Sequence, residues 1–223
     1  MKRKLFITGA TLTIIGATIS TFATYFLYFY LIPFWIFVLG LSLIWFSDKK
    51  IKTKVIWTLT PIAVFASYQI LEYQLNKVPP ETFLIPKDYR GKIHVHFNKA
   101  CGQKVKMENG RRIYIIPENG ILLSQFNDKQ GYIDQKYYQV DTEGNRTLLP
   151  QLDVRDYNEE WTLEKNPHEP SRDILGIFYA GTVSSEGSYE FYVSTYRQLR
   201  DSFDFQYNKK FDSLEQKIID TCK

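Results

Sequence analysis

The chain has 223 residues, 44% of them hydrophobic and 16% aromatic, with 12 Gly and 9 Pro, which excludes a collagen-like, disordered or small disulfide-scaffold protein. Of its 28 Lys and Arg and 24 Asp and Glu, residues 1–75 hold 7 and 2, leaving 21 and 22 for the rest. The basic excess sits beside apolar runs and not on a folded face, which argues against nucleic acid as a partner.

Residues 5–47 contain no charged side chain. As a single helix this run would be about 64 Å long, roughly twice the hydrocarbon core of a bilayer, so it must fold back. A break within residues 25–33 is expected, because Pro33 lacks an amide hydrogen and Tyr25, Tyr28 and Tyr30 suit the headgroup region. A third uncharged run, residues 55–71, is flanked by Lys54 and Glu72 and is just long enough to cross. The expected spans are thus residues 5–26, 29–46 and 55–73, with the lipid bilayer as partner. Lys2, Arg3 and Lys4 precede the first, and Lys49, Lys50, Lys52 and Lys54 lie between the second and third. Such clusters stay on the cytoplasmic side, so an integral protein of the inner or plasma membrane is expected, with residues 79–223 outside. If residues 55–71 lie along the surface instead, that domain is cytoplasmic. A cleaved signal peptide fits less well, since the apolar run continues more than twenty residues past Ala23. Gly9, Thr13, Gly16, Ser20 and Ala23 share one helix stripe, which suits close helix packing. A pore lined by Thr8, Thr11, Thr18 and Thr24 is the alternative, but no ionisable residue lies inside the spans.

Residues 79–223 read as one further domain. Residues 92–97 alternate, with Ile93, Val95 and Phe97 on one face and His94 and His96 on the other. Strands follow at 111–116, 120–124, 137–140, 146–149, 174–180 and 190–194. Asn109-Gly110 and Asn119-Gly120 are turn dipeptides, and residues 141–145 close a hairpin. Short strands without intervening helices predict an antiparallel β-sandwich. After Gly187 no Gly or Pro occurs, and Tyr196, Leu199, Phe203, Tyr207, Phe211, Leu214, Ile218 and Cys222 form an amphipathic stripe. The capping box Thr195-x-x-Gln198 starts this helix, about residues 195–221. A break is allowed at 204–208, and docking of the apolar face on the sheet is expected.

At Phe83-Leu84-Ile85-Pro86, Gly91-Lys92-Ile93, Cys101-Gly102, Gly110-Arg111-Arg112-Ile113-Tyr114 and 116–122 (Ile-Pro-Glu-Asn-Gly-Ile-Leu), the chain resembles an uncharacterised family of bacterial membrane-anchored envelope proteins. These carry a domain of unknown function. The resemblance covers about residues 80–180 and implies a bacterial origin and an exported domain, with no catalytic residues attached.

Candidate chemistry is sparse. Cys101 and Cys222 are the two cysteines; in an oxidising compartment they form a disulfide, while in a reducing one they are separate buried thiols. A catalytic thiol has no neighbouring His in sequence to support it. His94 and His96 are spaced to present two imidazoles to one metal, with His168 as a distant third candidate, although alternating His on a strand also suits a solvent face. Asp153, Asp156, Glu159, Glu160 and Glu164 offer carboxylates for acid and base work or form a solvated connection. No nucleophile elbow, Walker loop, dinucleotide fingerprint or zincin motif appears, so no cofactor is expected. The expected function is a membrane-anchored extracytoplasmic binding or scaffold domain, with an envelope protein as a further partner. The alternatives are an envelope hydrolase using His94, His96 and the acidic residues of 153–164, and a membrane-complex subunit or immunity-type protein acting through its helices.

Overall fold

A computed structural model describes the chain except for residues 1, 23–26, 129–130, 132, 184–186, 202–207 and 223. It divides into two compact units, residues 1–76 and 77–223.

The first unit is helical: α1 (Lys2–Phe22), α2 (Leu27–Trp45) and α3 (Ile51–Leu75). The structure carries α2 through Pro33, which lies inside the expected span 29–46. Pro33 is in the second turn, where the one forfeited backbone bond bends a helix without ending it. Close packing of α1 on α2 rests on small residues. A Cβ added at Gly16 would lie 2.6 Å from the Phe37 backbone nitrogen, and one at Gly40 2.5 Å from that of Thr13. Thr13 is fully buried and its hydroxyl donates to the Gly9 carbonyl at 2.9 Å. Thr11, on the alternative hydroxyl stripe, donates in the same way to Ile7 at an exposed position. Lys49 Nζ lies 4.9 Å from the centre of the Phe6 ring, and that ring meets Trp57 edge-on at 5.8 Å. The start of α1 and the α2–α3 connection therefore share one end of the bundle. Among the described residues α3 is the helix that is long and apolar enough to cross a membrane by length and composition.

Among its described residues the second unit has nine strands: β1 (Glu81–Pro86), β2 (Gly91–His96), β3 (Met107–Glu108), β4 (Arg111–Ile115), β5 (Ile121–Leu123), β6 (Gln135–Val140), β7 (Arg146–Leu149), β8 (Gly176–Val183) and β9 (Ser188–Ser194). They form one sheet ordered β3-β4-β1-β6-β7 and another ordered β5-β2-β9-β8. Both sheets are mixed, which corrects the antiparallel expectation: β1 runs parallel to β4 and β6, and β2 parallel to β5. The reason is the path of the chain. After β1 it enters the other sheet as β2, returns as β4, crosses again as β5 and returns as β6. Each return restores the original direction, so strands meeting in the same sheet run alike. Hairpins occur where the chain stays in one sheet. At β3–β4, Asn109 and Gly110 take positive φ of 50° and 76°. At β6–β7, Asp141 Oδ1 accepts from the amides of Glu143 and Asn145.

Inward faces of both sheets meet in one core. At its centre the fully buried Phe83 ring stacks on Tyr114, Tyr137 and Tyr189 at 4.9, 5.1 and 5.6 Å and meets Phe191 edge-on at 5.3 Å. Tyr137 and Tyr189 share a hydroxyl–hydroxyl bond of 2.7 Å, so their polar ends stay satisfied. Of the C-terminal helix expected over 195–221, with a break allowed at 204–208, the described residues form α4 (Tyr196–Asp201) and α5 (Lys209–Asp220), with Asn208 extended before α5. The residues between them that fall in the expected break, 204–207, lie outside the described ones. The capping box forms: Gln198 N donates to Thr195 Oγ1, and Thr195 N to Gln198 Oε1, both at 3.2 Å. Tyr196 and Leu199 are buried in a second cluster with Tyr157, Phe178 and Tyr192.

Phe83→Ala removes a ring held on several faces and is expected to cost about 3–5 kcal/mol. Denaturant unfolding of the detergent-solubilised full chain, followed by near-ultraviolet circular dichroism, measures it.

Candidate functional site

Strand β2 is buried on both faces. Ile93 and Val95 point into the inter-sheet core, while His94 and His96, respectively 6% and 3% exposed, point away from it. Their face is covered by α5, so the solvent-face reading of these histidines does not describe the structure. Asn208 caps α5 by accepting from the amides of Lys210 and Phe211 at 3.0 and 3.3 Å. Phe211, Glu215, Ile218 and Cys222 are partly buried, at the spacing of a single helix face. Lys92 Nζ sits 5.6 Å from the Phe211 ring centre, and it also pairs with Glu190 at 2.8 Å.

Glu215 reaches between the two imidazoles. His96 Nε2 donates to Glu215 Oε1 at 2.6 Å. His94 Nδ1 comes close to the same oxygen but without the alignment of a hydrogen bond, so this buried nitrogen has no hydrogen-bond partner. The other nitrogen of His94, Nε2, lies 2.8 Å from Oγ of the fully buried Ser188. The rings are 4.3 Å apart. Burial works to raise the Glu215 carboxyl, but the two imidazoles outweigh it and hold the group down to about 2. The ligand atoms of His94, His96 and Glu215 all lie within 4.8 Å of one another, the group of metal-ligating type among the described residues.

The acidic residues of 153–164 do not join the histidines. Glu159 accepts from the Tyr196 hydroxyl at 2.6 Å and pairs with Arg200 and, at 3.8 Å, with Arg172. Asp153 is paired with Arg155. His168 is exposed, in the connection before β8. The hydrolase constellation expected from His94, His96 and these carboxylates is therefore not assembled. The carboxylate that arrives is Glu215, which the sequence reading passed over. Its signal was a charged residue inside the arc of Phe211, Ile218 and Cys222. Ser188 carried no signal. A surface groove of about 800 Å³ lined by Pro86, Tyr89, Arg90, Glu118 and Thr142 shares no residue with the cluster.

Cys101 and Cys222 are joined in a disulfide, with Cα atoms 5.6 Å apart and a separation of 121 positions in the sequence. It lies five residues beyond His96 and seven beyond Glu215, and so ties the end of α5 to the segment that follows β2.

Two mixed sheets with a disulfide-tethered helix, preceded by apolar helices, define the class. The chain belongs to the family described as a family of unknown function, DUF6843, which matches residues 77–195. His94, His96, Cys101 and Ser188 lie within the match, and Glu215 and Cys222 beyond it. A crystal structure of a candidate lipoprotein from Bacillus anthracis is similar at 16% identity and a TM-score of 0.43, over 65% of this chain and 96% of that one. No curated protein matches.

Replacing Cys101 and Cys222 by Ser is expected to lower stability by up to about 5 kcal/mol, the loop-entropy value for so long a loop, measured by thermal or denaturant unfolding. A second prediction concerns acid. The Tyr196 hydroxyl, with Arg200 and Arg172, outweighs burial and holds the Glu159 carboxyl below its usual range. Its contribution is therefore complete above the unfolded value near 4.5 and is lost as pH falls toward the lower folded one. Glu159→Gln should flatten the acid side of the Tm–pH profile while lowering Tm at pH 7.

Proposed function

We propose that this is an integral protein of the bacterial inner or plasma membrane whose second unit is held on the outer side as a binding or scaffold domain. The observation that carries the reading is the Cys101–Cys222 disulfide, because such bonds persist in oxidising compartments and are rare in the cytosol. The helical unit supports it. Lys49 packs on Phe6, so the basic N-terminus and the basic α2–α3 connection gather at one end of the bundle. Charge of this kind is retained on the cytoplasmic side, and α3, leaving from that end, leads the chain across. Family membership is consistent with an envelope protein and adds no activity.

The test is labelling of the two thiols with a membrane-impermeant maleimide in intact cells producing the full chain. Labelling is expected only after a reductant is added, and without lysis. Reagent that reaches the thiols only in lysed cells, without any reductant, would place the domain in the cytosol and overturn the reading.

A further inference from the structure

We infer that His94, His96 and Glu215 form a binding site for a divalent transition-metal ion of the Zn²⁺ type, bridging β2 and α5. The inference does not depend on which side of the membrane the domain occupies. Three observations carry it. His94 and His96 project from alternate positions of one strand, so a single ion can meet both imidazoles without any backbone change. Glu215 enters from another element and places one oxygen against both rings. Finally, His94 Nδ1 is buried and aimed into the cluster, against the Glu215 oxygen but without an aligned hydrogen bond, while its Nε2 is engaged with Ser188 Oγ. One oxygen of Glu215 and one nitrogen from each imidazole thus converge on a single point, the arrangement a bound cation needs.

The donor set selects the ion. Two imidazoles and one carboxylate suit Zn²⁺ and its neighbours, whereas Ca²⁺ and Mg²⁺ require oxygen ligands. Ligand atoms on a tetrahedral zinc with bonds near 2.0–2.1 Å stand about 3.4 Å apart. His96 Nε2 and Glu215 Oε1 now lie 2.6 Å apart. Small side-chain rotations open that gap, and α5 has no fully buried residue to resist them. The fourth position falls to water beside Glu215, whose side chain is 13% exposed. Ser188 is then the outer partner that fixes the His94 tautomer. Both thiols are consumed in the disulfide, which leaves imidazole and carboxylate as the ligands. The ion would pin α5 to the sheet.

The experiment uses the untagged, oxidised full chain in detergent, stripped with chelator and titrated with Zn²⁺, with bound metal counted after gel filtration. One Zn²⁺ per chain is expected, together with a rise in Tm that chelator reverses. His94→Ala with His96→Ala should abolish binding. Ser188→Ala should weaken it by about 10–100-fold, and Glu215→Gln by more. Should the histidine variant fail to fold, Co²⁺ added to the unaltered chain decides, through the visible spectrum of a tetrahedral site with nitrogen and oxygen ligands. A folded chain that takes up no metal overturns the inference, as does uptake unchanged by loss of both histidines or a Co²⁺ spectrum of six-coordinate type. The cluster would then be a hydrogen-bonded His–Glu–His network.

Discussion

The tether between residues 101 and 222 is the constraint on which the outer face of β2 depends. Helix α5 has twelve residues and none of them fully buried, and a helix so short is marginal by itself in water. What keeps it on the sheet is a small set of fixed points: Phe211 against Lys92, Glu215 between the histidines and the disulfide at Cys222. The first two act over a few ångströms and need the helix already in place. The disulfide supplies that placement by holding its end against the segment after β2. His94 and His96 owe their burial to that placement, since they face away from the inter-sheet core and α5 is what covers them.

The core sets a different constraint, through the path of the chain between two sheets. Alternation between sheets makes β1 the neighbour of β4 and β6 at long sequence separation, which delays pairing until those loops close. The stack around Phe83 draws Tyr114 from β4, Tyr137 from β6 and Tyr189 and Phe191 from β9, so it completes only when both sheets are present. Glu81, at the head of β1, is buried as well. Burial raises its carboxyl, and hydrogen bonds from Gln135 and Tyr114, with Arg112 at 3.6 Å, only partly offset this. A buried acid with several donors is costly to strand but specifies register, since each donor comes from a neighbouring strand.

Much of the local structure was legible in the sequence, and the reasons differ by element. The 109–110 and 141–145 turns announced themselves because positive φ and Asx bonding demand particular residues. The Thr195–Gln198 cap was legible for the same reason. Strand β1 escaped the strand reading because it is buried nearly throughout, Glu81 to Ile85, and so shows no alternation. Parallel pairing escaped because the alternating pattern of a strand reports which face is apolar and says nothing of the direction of its neighbour. The outward position of His94 and His96 followed from the period of two, yet their burial did not, because it is imposed by a helix over a hundred residues away. Leu214 was placed on the apolar stripe and is 40% exposed; Glu215 takes the facing position. A hydrophobic pattern places a helix face to within about one residue, and here that residue is the one with the chemistry.

The helical unit shows how small residues and charge divide the work of orientation. Gly9, Gly16 and Gly40 let α1 and α2 approach until backbone meets backbone, which in lipid replaces the hydrophobic drive that apolar tails abolish. That contact fixes the hairpin but is blind to direction. On the proposed reading direction comes from the Lys and Arg at its open end, where Lys54 also donates to the Trp45 carbonyl at 2.7 Å. On the membrane reading proposed above, the hairpin brings the chain back to its starting end, and the side of residues 77–223 turns on α3. Its 25 residues span about 38 Å as a helix, more than the hydrocarbon core requires, so Pro61 can bend it without leaving it too short to cross.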